Sequence, residues 1–132
     1  MIVADASIVV SALLSTSGAG ARARERLRQD PDLHVPHLLD LEVTAALRRR
    51  VRLGQTDIEV ATQVLGELTD LAAIRWDHEP LLRRVWELRE NITPYDAVYV
   101  VLAELLDAPL VTSDARLSRT PGLRCTVDVL AD

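Results

Sequence analysis

Short apolar runs alternate along this chain with longer stretches in which apolar and polar positions repeat at helical spacing. Residues 1–5 are apolar until Asp5 and predict a short buried strand. Ser7 is placed to cap a first helix running to about Leu14. Residues 15–20 read as a loop and 21–29 as a helix bearing Arg22, Arg24, Arg26 and Arg28. Asp30-Pro31-Asp32 marks a turn before a second strand over 33–35. Pro36 opens a long helix over 37–53, which Gly54 closes. Thr56-Asp57-Ile58-Glu59 is a capping box at the head of a helix ending near Thr69. A third strand is expected over 73–76, and Pro80 opens a helix through Arg89. After a break at 91–93, Pro94 opens another helix over 95–106. Asp107-Ala108-Pro109 turns the chain into a fourth strand over 110–112. A helical turn over 115–119, a Pro121-Gly122 turn and a last strand over 125–129 complete the series. Strands that alternate with helices predict an α/β fold, a three-layer α/β/α sandwich around a parallel sheet with right-handed crossovers. Neither a repeat nor a linker breaks the pattern, so residues 1–132 are expected to form one domain.

Composition narrows the chemistry by what is missing. All 15 basic residues are Arg, and there is no Lys. A Walker P-loop and Schiff-base catalysis both need a Lys and are excluded. The single Cys125 excludes an intrachain disulfide framework and a Cys-cluster zinc site. One thiol and no secretory leader pattern fit a reducing compartment, so a cytoplasmic protein is expected. No apolar run approaches the roughly 18 residues of a membrane span. Aromatics make up only 3% of the chain, so the core must be aliphatic. The formal charge of −5 counts mildly against bulk binding to nucleic acid.

Much of that negative charge falls in four informative places. In open α/β sheets, sites lie beyond the carboxyl ends of the strands. Asp5 ends the first strand and Asp114 follows the fourth, so both face one crevice if those strands are neighbours. Glu42 has Leu38, Leu39, Ala45 and Ala46 three and four positions away, which is no setting for a solvated acid. Asp96 opens its helix with Val100 and Ala103 on its stripe. Each acid alone has an ordinary reading: a turn residue, an ion pair, a first-turn acid. Gathered in one crevice they would repel one another, and a hard divalent cation relieves that repulsion. Carboxylates with few His or Cys select Mg²⁺ or Mn²⁺, and phosphodiester hydrolysis is the natural chemistry.

Three segments, MIVADASIVVSALL, HLLDLEVTAALRR around Glu42, and TPYDAVYVVLAELLDAPLVTSDARL, together resemble the PIN-domain ribonucleases, specifically the VapC-type toxins of toxin–antitoxin pairs. The resemblance covers nearly the whole chain. It implies a five-stranded parallel α/β/α sandwich and a Mg²⁺- or Mn²⁺-dependent endoribonuclease held inactive by a VapB-type antitoxin. It also suggests a homodimer. Position by position, the family's acids fall on Asp5, Glu42, Asp96 and Asp114, with Asp5, Asp96 and Asp114 as metal ligands. Ser7 and Thr112 match small polar positions that support the acids by hydrogen bonds. Where some members carry a further acid after the fourth, this chain has Arg116, which bears on any second metal position.

Other α/β readings fail on Lys: response-regulator receivers and haloacid dehalogenase phosphatases both rely on one. An alternative of another class is a PIN-like RNA- or protein-binding module without catalysis. The histidines are scattered and make no zinc set. Trp76 and Trp86 read as core or interface anchors, Tyr95 and Tyr99 as packing residues, and Cys125 as a small buried apolar group. Arg22, Arg24 and Arg26 are candidate RNA-phosphate contacts, while Arg48, Arg49, Arg50 and Arg52 end the Glu42 helix, where cations are favoured. Apolar helices over 61–71 and 81–88 offer surface for an antitoxin or a second protomer.

Overall fold

The strands are β1 (Ile2–Ala4), β2 (Leu33–Pro36), β3 (Ala73–Trp76), β4 (Leu110–Thr112) and β5 (Val127–Val129). In this computed structural model, which describes residues 1–131, they form one parallel sheet in the order β3-β2-β1-β4-β5. β1 is central and β4 lies beside it, with Val3 opposite Leu110 and Ala4 opposite Val111. Every residue of these two strands is buried. A strand covered on both faces has no polar side to show, which is why these stretches read as continuous apolar runs.

Between the strands lie α1 (Ala6–Leu14), α2 (Gly18–Gln29), α3 (Leu38–Arg52), α4 (Ile58–Thr69), a 3-10 turn (Glu79–Leu81), α5 (Leu82–Glu87), α6 (Pro94–Leu106) and α7 (Ala115–Ser118). The chain steps outward from β1 to β2 to β3, then returns to the other side of β1 for β4. Right-handed crossovers therefore place α1 to α4 and α5 to α6 on opposite faces. α1, α2, α3 and α4 pack among themselves, while α6 lies across β2, β1 and β4 and carries α5. α6 is buried without interruption from Ala97 to Ala103. The reversal falls between β1 and β4, where open sheets hold their ligands.

The structure corrects several local expectations. Asp5, not Ser7, caps α1: its side chain accepts from the Ile8 N–H. α2 begins at Gly18, so the loop after α1 is shorter than its glycines suggest. The reason is packing: a Cβ on Gly20 would meet the Ser15 carbonyl oxygen at 2.2 Å, so glycine here lets α2 close on the end of α1. Pro36 belongs to β2, and α4 is capped at Asp57 without a side-chain bond in place of the Thr56 box. The expected helix from Pro80 splits into the 3-10 turn and α5. β5 starts at Val127, leaving Cys125 half-buried ahead of it, with burial pushing its thiol up to about 11. Among the described residues no helix is long and apolar enough to cross a membrane.

Candidate active site

Asp5 stands where β1 gives way to α1, next to the end of β4. Its Oδ1 accepts from the Ser7 hydroxyl at 2.5 Å and from the Ile8 N–H at 3.3 Å. Its Oδ2 accepts from the Thr112 hydroxyl at 2.5 Å. Thr112 is fully buried in β4, and its oxygen accepts from the Asp114 N–H at 3.0 Å. The Ser7 oxygen accepts from the Ser113 N–H at 3.1 Å. Asp5 is thus held at both oxygens, and the same hydroxyls tie it to the loop after β4. Burial raises its carboxyl above the usual range, with these bonds acting in the opposite sense.

Glu42 projects from α3 and accepts from the Tyr99 hydroxyl of α6 at 2.5 Å. Burial raises the Glu42 carboxyl; the Tyr99 bond opposes that, and the charges of Asp96 and Asp5 add to it. Asp96 sits in the first turn of α6, where Thr93 caps the helix by accepting its N–H. Burial raises its carboxyl too, the charge of Asp114 adds to this, and Arg116 offsets part of it. Asp5, Glu42 and Asp96 therefore share one electrostatic environment. None of the three takes part in an ion pair among the described residues.

Asp114 differs. It caps α7 and accepts the Arg116 guanidinium at two points, Nε at 3.0 Å and Nη2 at 2.8 Å. Arg116 holds its carboxyl below the usual range. Glu42 thus feels the charges of Asp5 and Asp96, and Asp114 acts on Asp96 with a cation of its own.

Tyr99 escaped the sequence reading, which took it for packing alone. It is 3% exposed, yet its hydroxyl reaches Glu42. The available signal was its place three residues after Asp96, on the same helical face. Tyr95, for which the sequence offers either packing or, beside Asp96, contact with substrate, is exposed. Trp76 donates to His34 Nδ1 at 3.0 Å, while Trp86 is exposed with Arg89 over its ring. The α2 arginines lie outside this cluster. Arg24 donates to the Ala12 and Ser15 carbonyls at the far end of α1 from Asp5, about 13 Å of helix away. Arg22 donates to the Ala131 carbonyl and Arg26 to Asp128, fastening α2 to the C-terminal strand.

The donors around the cluster are all oxygens, the set that suits Mg²⁺ or Mn²⁺. Among the described residues no three His, Cys, Asp or Glu side chains are gathered tightly enough to ligate one ion directly. An ion here would keep several of its waters, as Mg²⁺ does.

Comparison with known proteins places the fold. A PIN domain family model matches residues 2–123. Ribonuclease VapC1 of Mycobacterium tuberculosis is 43% identical over 129 residues, 97% of this chain and 96% of that protein. VapC ribonuclease Mb0985 of Mycobacterium bovis is 43% identical over 133 residues, 98% of each chain. Among solved structures, PAE2754 from Pyrobaculum aerophilum shares 25% identity with a TM-score of 0.70, over 97% of this chain and 83% of that one. M. tuberculosis VapC20, described as a Sarcin-Ricin loop cleaving toxin, gives a TM-score of 0.71 at 15% identity, over 93% of this chain and 96% of that one, a likeness of fold alone. With a family model over residues 2–123 and relatives 43% identical over nearly their full length, the chain belongs to the PIN-domain family, in its VapC-type group.

Proposed function

We propose that this protein is a Mg²⁺- or Mn²⁺-dependent endoribonuclease, the toxin of a type II toxin–antitoxin pair. The observation that carries the reading is the trio Asp5, Glu42 and Asp96, three partly buried carboxylates that make no ion pair among the described residues, near the reversal of the sheet. Relatives named ribonucleases supply the substrate class. Charge left unpaired in a partly buried cleft is unfavourable unless a ligand completes it.

Asp5 and Asp96 would hold the ion, partly through water, with Glu42 beside them and Asp114 beyond Asp96. A divalent ion bound there supplies Lewis-acid stabilisation of charge on the phosphate and lowers the pKa of water. The chain's own part is orientation. Ser7 and Thr112 fix the direction of Asp5. Tyr99 fixes Glu42, whose raised carboxyl suits it to orient an attacking water and take its proton. Hydrolysis by water leaves a 5′-phosphate and a 3′-hydroxyl.

A VapB-type antitoxin and a second copy of the chain are the proposed partners. One structural neighbour is VapBC2 from Rickettsia felis, bound to a DNA fragment from their promoter, with a TM-score of 0.65. An apolar groove of about 360 Å³ between α3 and α4, lined by Leu47, Val51, Ile58, Ala61 and Leu65, supports a protein partner on this face.

The test is cleavage of total RNA by purified protein with Mg²⁺, with EDTA, and by Asp5→Asn and Asp96→Asn. Cleavage should stop with EDTA and fall at least about 100-fold in each variant. Equal cutting by wild type and variants, or products ending in a 2′,3′-cyclic phosphate, would overturn the reading.

A further inference from the structure

Arg116 brings positive charge to the rim of an acidic site. Its Nε and Nη2 meet the two oxygens of Asp114 at 3.0 and 2.8 Å, the parallel pairing a planar guanidinium makes with a carboxylate. Its backbone N–H donates to Asp114 Oδ1 at 2.9 Å. The pairing is local: Asp114 caps α7 and Arg116 is the second residue of that helix. The fold gains little from it, because the Arg116 side chain is 83% exposed and solvent screens such a pair. Its charge nonetheless reaches Asp96. A guanidinium carries five N–H donors, and Asp114 engages two of them.

We infer that Arg116 is the site's own cation at Asp114: it withdraws that carboxylate from metal binding and offers its remaining N–H donors to an RNA phosphate. An anionic substrate approaching three unpaired acids needs such a contact, and the forked donors of Arg match phosphate geometry. The inference rests on the nuclease reading for the nature of the substrate. It has two consequences. The site takes one divalent ion, on the Asp5–Asp96 side. And the Asp114–Arg116 pair acts as a unit, Asp114 aiming the guanidinium.

Two measurements test it, neither of which needs cleavage. Calorimetric titration with Mn²⁺ should give one ion per wild-type chain and two per Arg116→Ala chain, where Asp114 is released beside Asp96. A wild-type count other than one, or a count that Arg116→Ala leaves unchanged, overturns the inference. Fluorescence anisotropy with a labelled single-stranded RNA in EDTA should show Arg116→Gln lowering the slope of log affinity against log salt by about 0.7. An unchanged slope removes the phosphate contact and with it the inference. Because Arg116 is exposed, both variants should fold, with the circular dichroism of wild type. A protein that meets both expectations yet leaves RNA intact refutes the nuclease reading and not this one.

Discussion

Glu104 and Glu42 are both glutamates on helices that turn apolar faces to the core, and their surroundings are opposite. The side chain of Glu104 is 9% exposed, and its oxygens accept from Arg84 Nε and Nη2 at 2.9 and 3.2 Å. One of them also accepts the Arg124 N–H at 2.7 Å, and Arg84 donates onward to the Gly122 carbonyl at 2.7 Å. The group closes on itself and joins α5, α6 and the turn before β5. Glu42 has one neutral donor, Tyr99, and looks toward Asp5 and Asp96. Asp40, two residues before Glu42 on α3, follows the closed pattern: Arg75 grips both its oxygens and the Leu68 carbonyl near the end of α4. Paired charge here serves the fold. Partly buried charge that the fold leaves without an ion pair, as at Asp5, Glu42 and Asp96, marks where a ligand is required.

The largest effect expected from this contrast lies on the closed side. Glu104→Ala leaves the largely covered Arg84 with only the exposed Glu87 as a carboxylate partner and removes the acceptor of the Arg124 N–H, at a cost of about 3 kcal/mol. Thermal denaturation should show Tm falling by roughly 10 °C. Mg²⁺ should not restore it. A Tm close to wild type would show that Glu104 is as open as Glu42 and erase the distinction.

On the open side the order of cause and effect reverses: the ligand stabilises. Mg²⁺ at about 100 times its Kd should add about 2.7 kcal/mol and raise the wild-type Tm by several degrees. Asp5→Asn and Asp96→Asn should lose that increment, whereas Glu104→Ala should keep it from its lower baseline. An increment equal in all four proteins would place the ion elsewhere.

This division was only half legible in the sequence. β1 and β4 could be placed within a residue or two because strands buried on both faces read as apolar runs, and β2 and β3 because turn residues bracket them. The same rule of strand ends pointed to Asp5 and Asp114, and the apolar neighbours of Glu42 marked it out. The partners were hidden for a physical reason. Whether an acid is paired depends on what the fold brings across 20 residues, as between Arg84 and Glu104, or 57, as between Glu42 and Tyr99. Glu104 sits in a stretch nearly as apolar as that of Glu42, with Val100, Val101 and Ala108 about it and only Asp107 to set it apart, and its spacing does not reveal Arg84. The α2 arginines illustrate the same limit. Their alternation suggests a solvated or RNA-facing row, and Arg22, Arg24 and Arg28 are exposed, but the carbonyl and carboxylate partners of Arg22, Arg24 and Arg26 on α1 and at the C-terminal end of the chain left no mark in the spacing.

The pH dependence of Glu42→Gln sharpens the comparison at a smaller scale. A carboxyl raised in the folded state holds its proton more firmly there than in the unfolded chain. Its favourable contribution is present below the unfolded pKa and is lost as pH rises through the folded one. At neutral pH wild type has lost it, while Gln never ionises. Glu42 is only half-buried, so solvent screening limits the difference to about 1 kcal/mol. Glu42→Gln should therefore be the more stable protein near pH 7, with the gap closing as pH falls. A variant less stable than wild type at neutral pH would mean that the Tyr99 bond outweighs the repulsion from Asp5 and Asp96.

Tyr99→Phe should have the smallest effect on stability, because it removes the buried hydroxyl with its bond and strands no donor. Glu42 stays half-exposed and water takes over at Oε1, so the loss should be about 0.5 kcal/mol. Its kinetic signature is more specific. The Tyr99 O–H favours the ionised carboxylate, so without it the Glu42 carboxyl rises further. If Glu42 takes the proton of the attacking water, the acid limb of the pH–rate profile moves to higher pH. Activity above that limb stays closer to wild type than in Glu42→Gln. A limb that does not move, with kcat lowered at every pH, would show that Tyr99 positions Glu42 without setting its protonation, and that Glu42 does not take the proton of the attacking water.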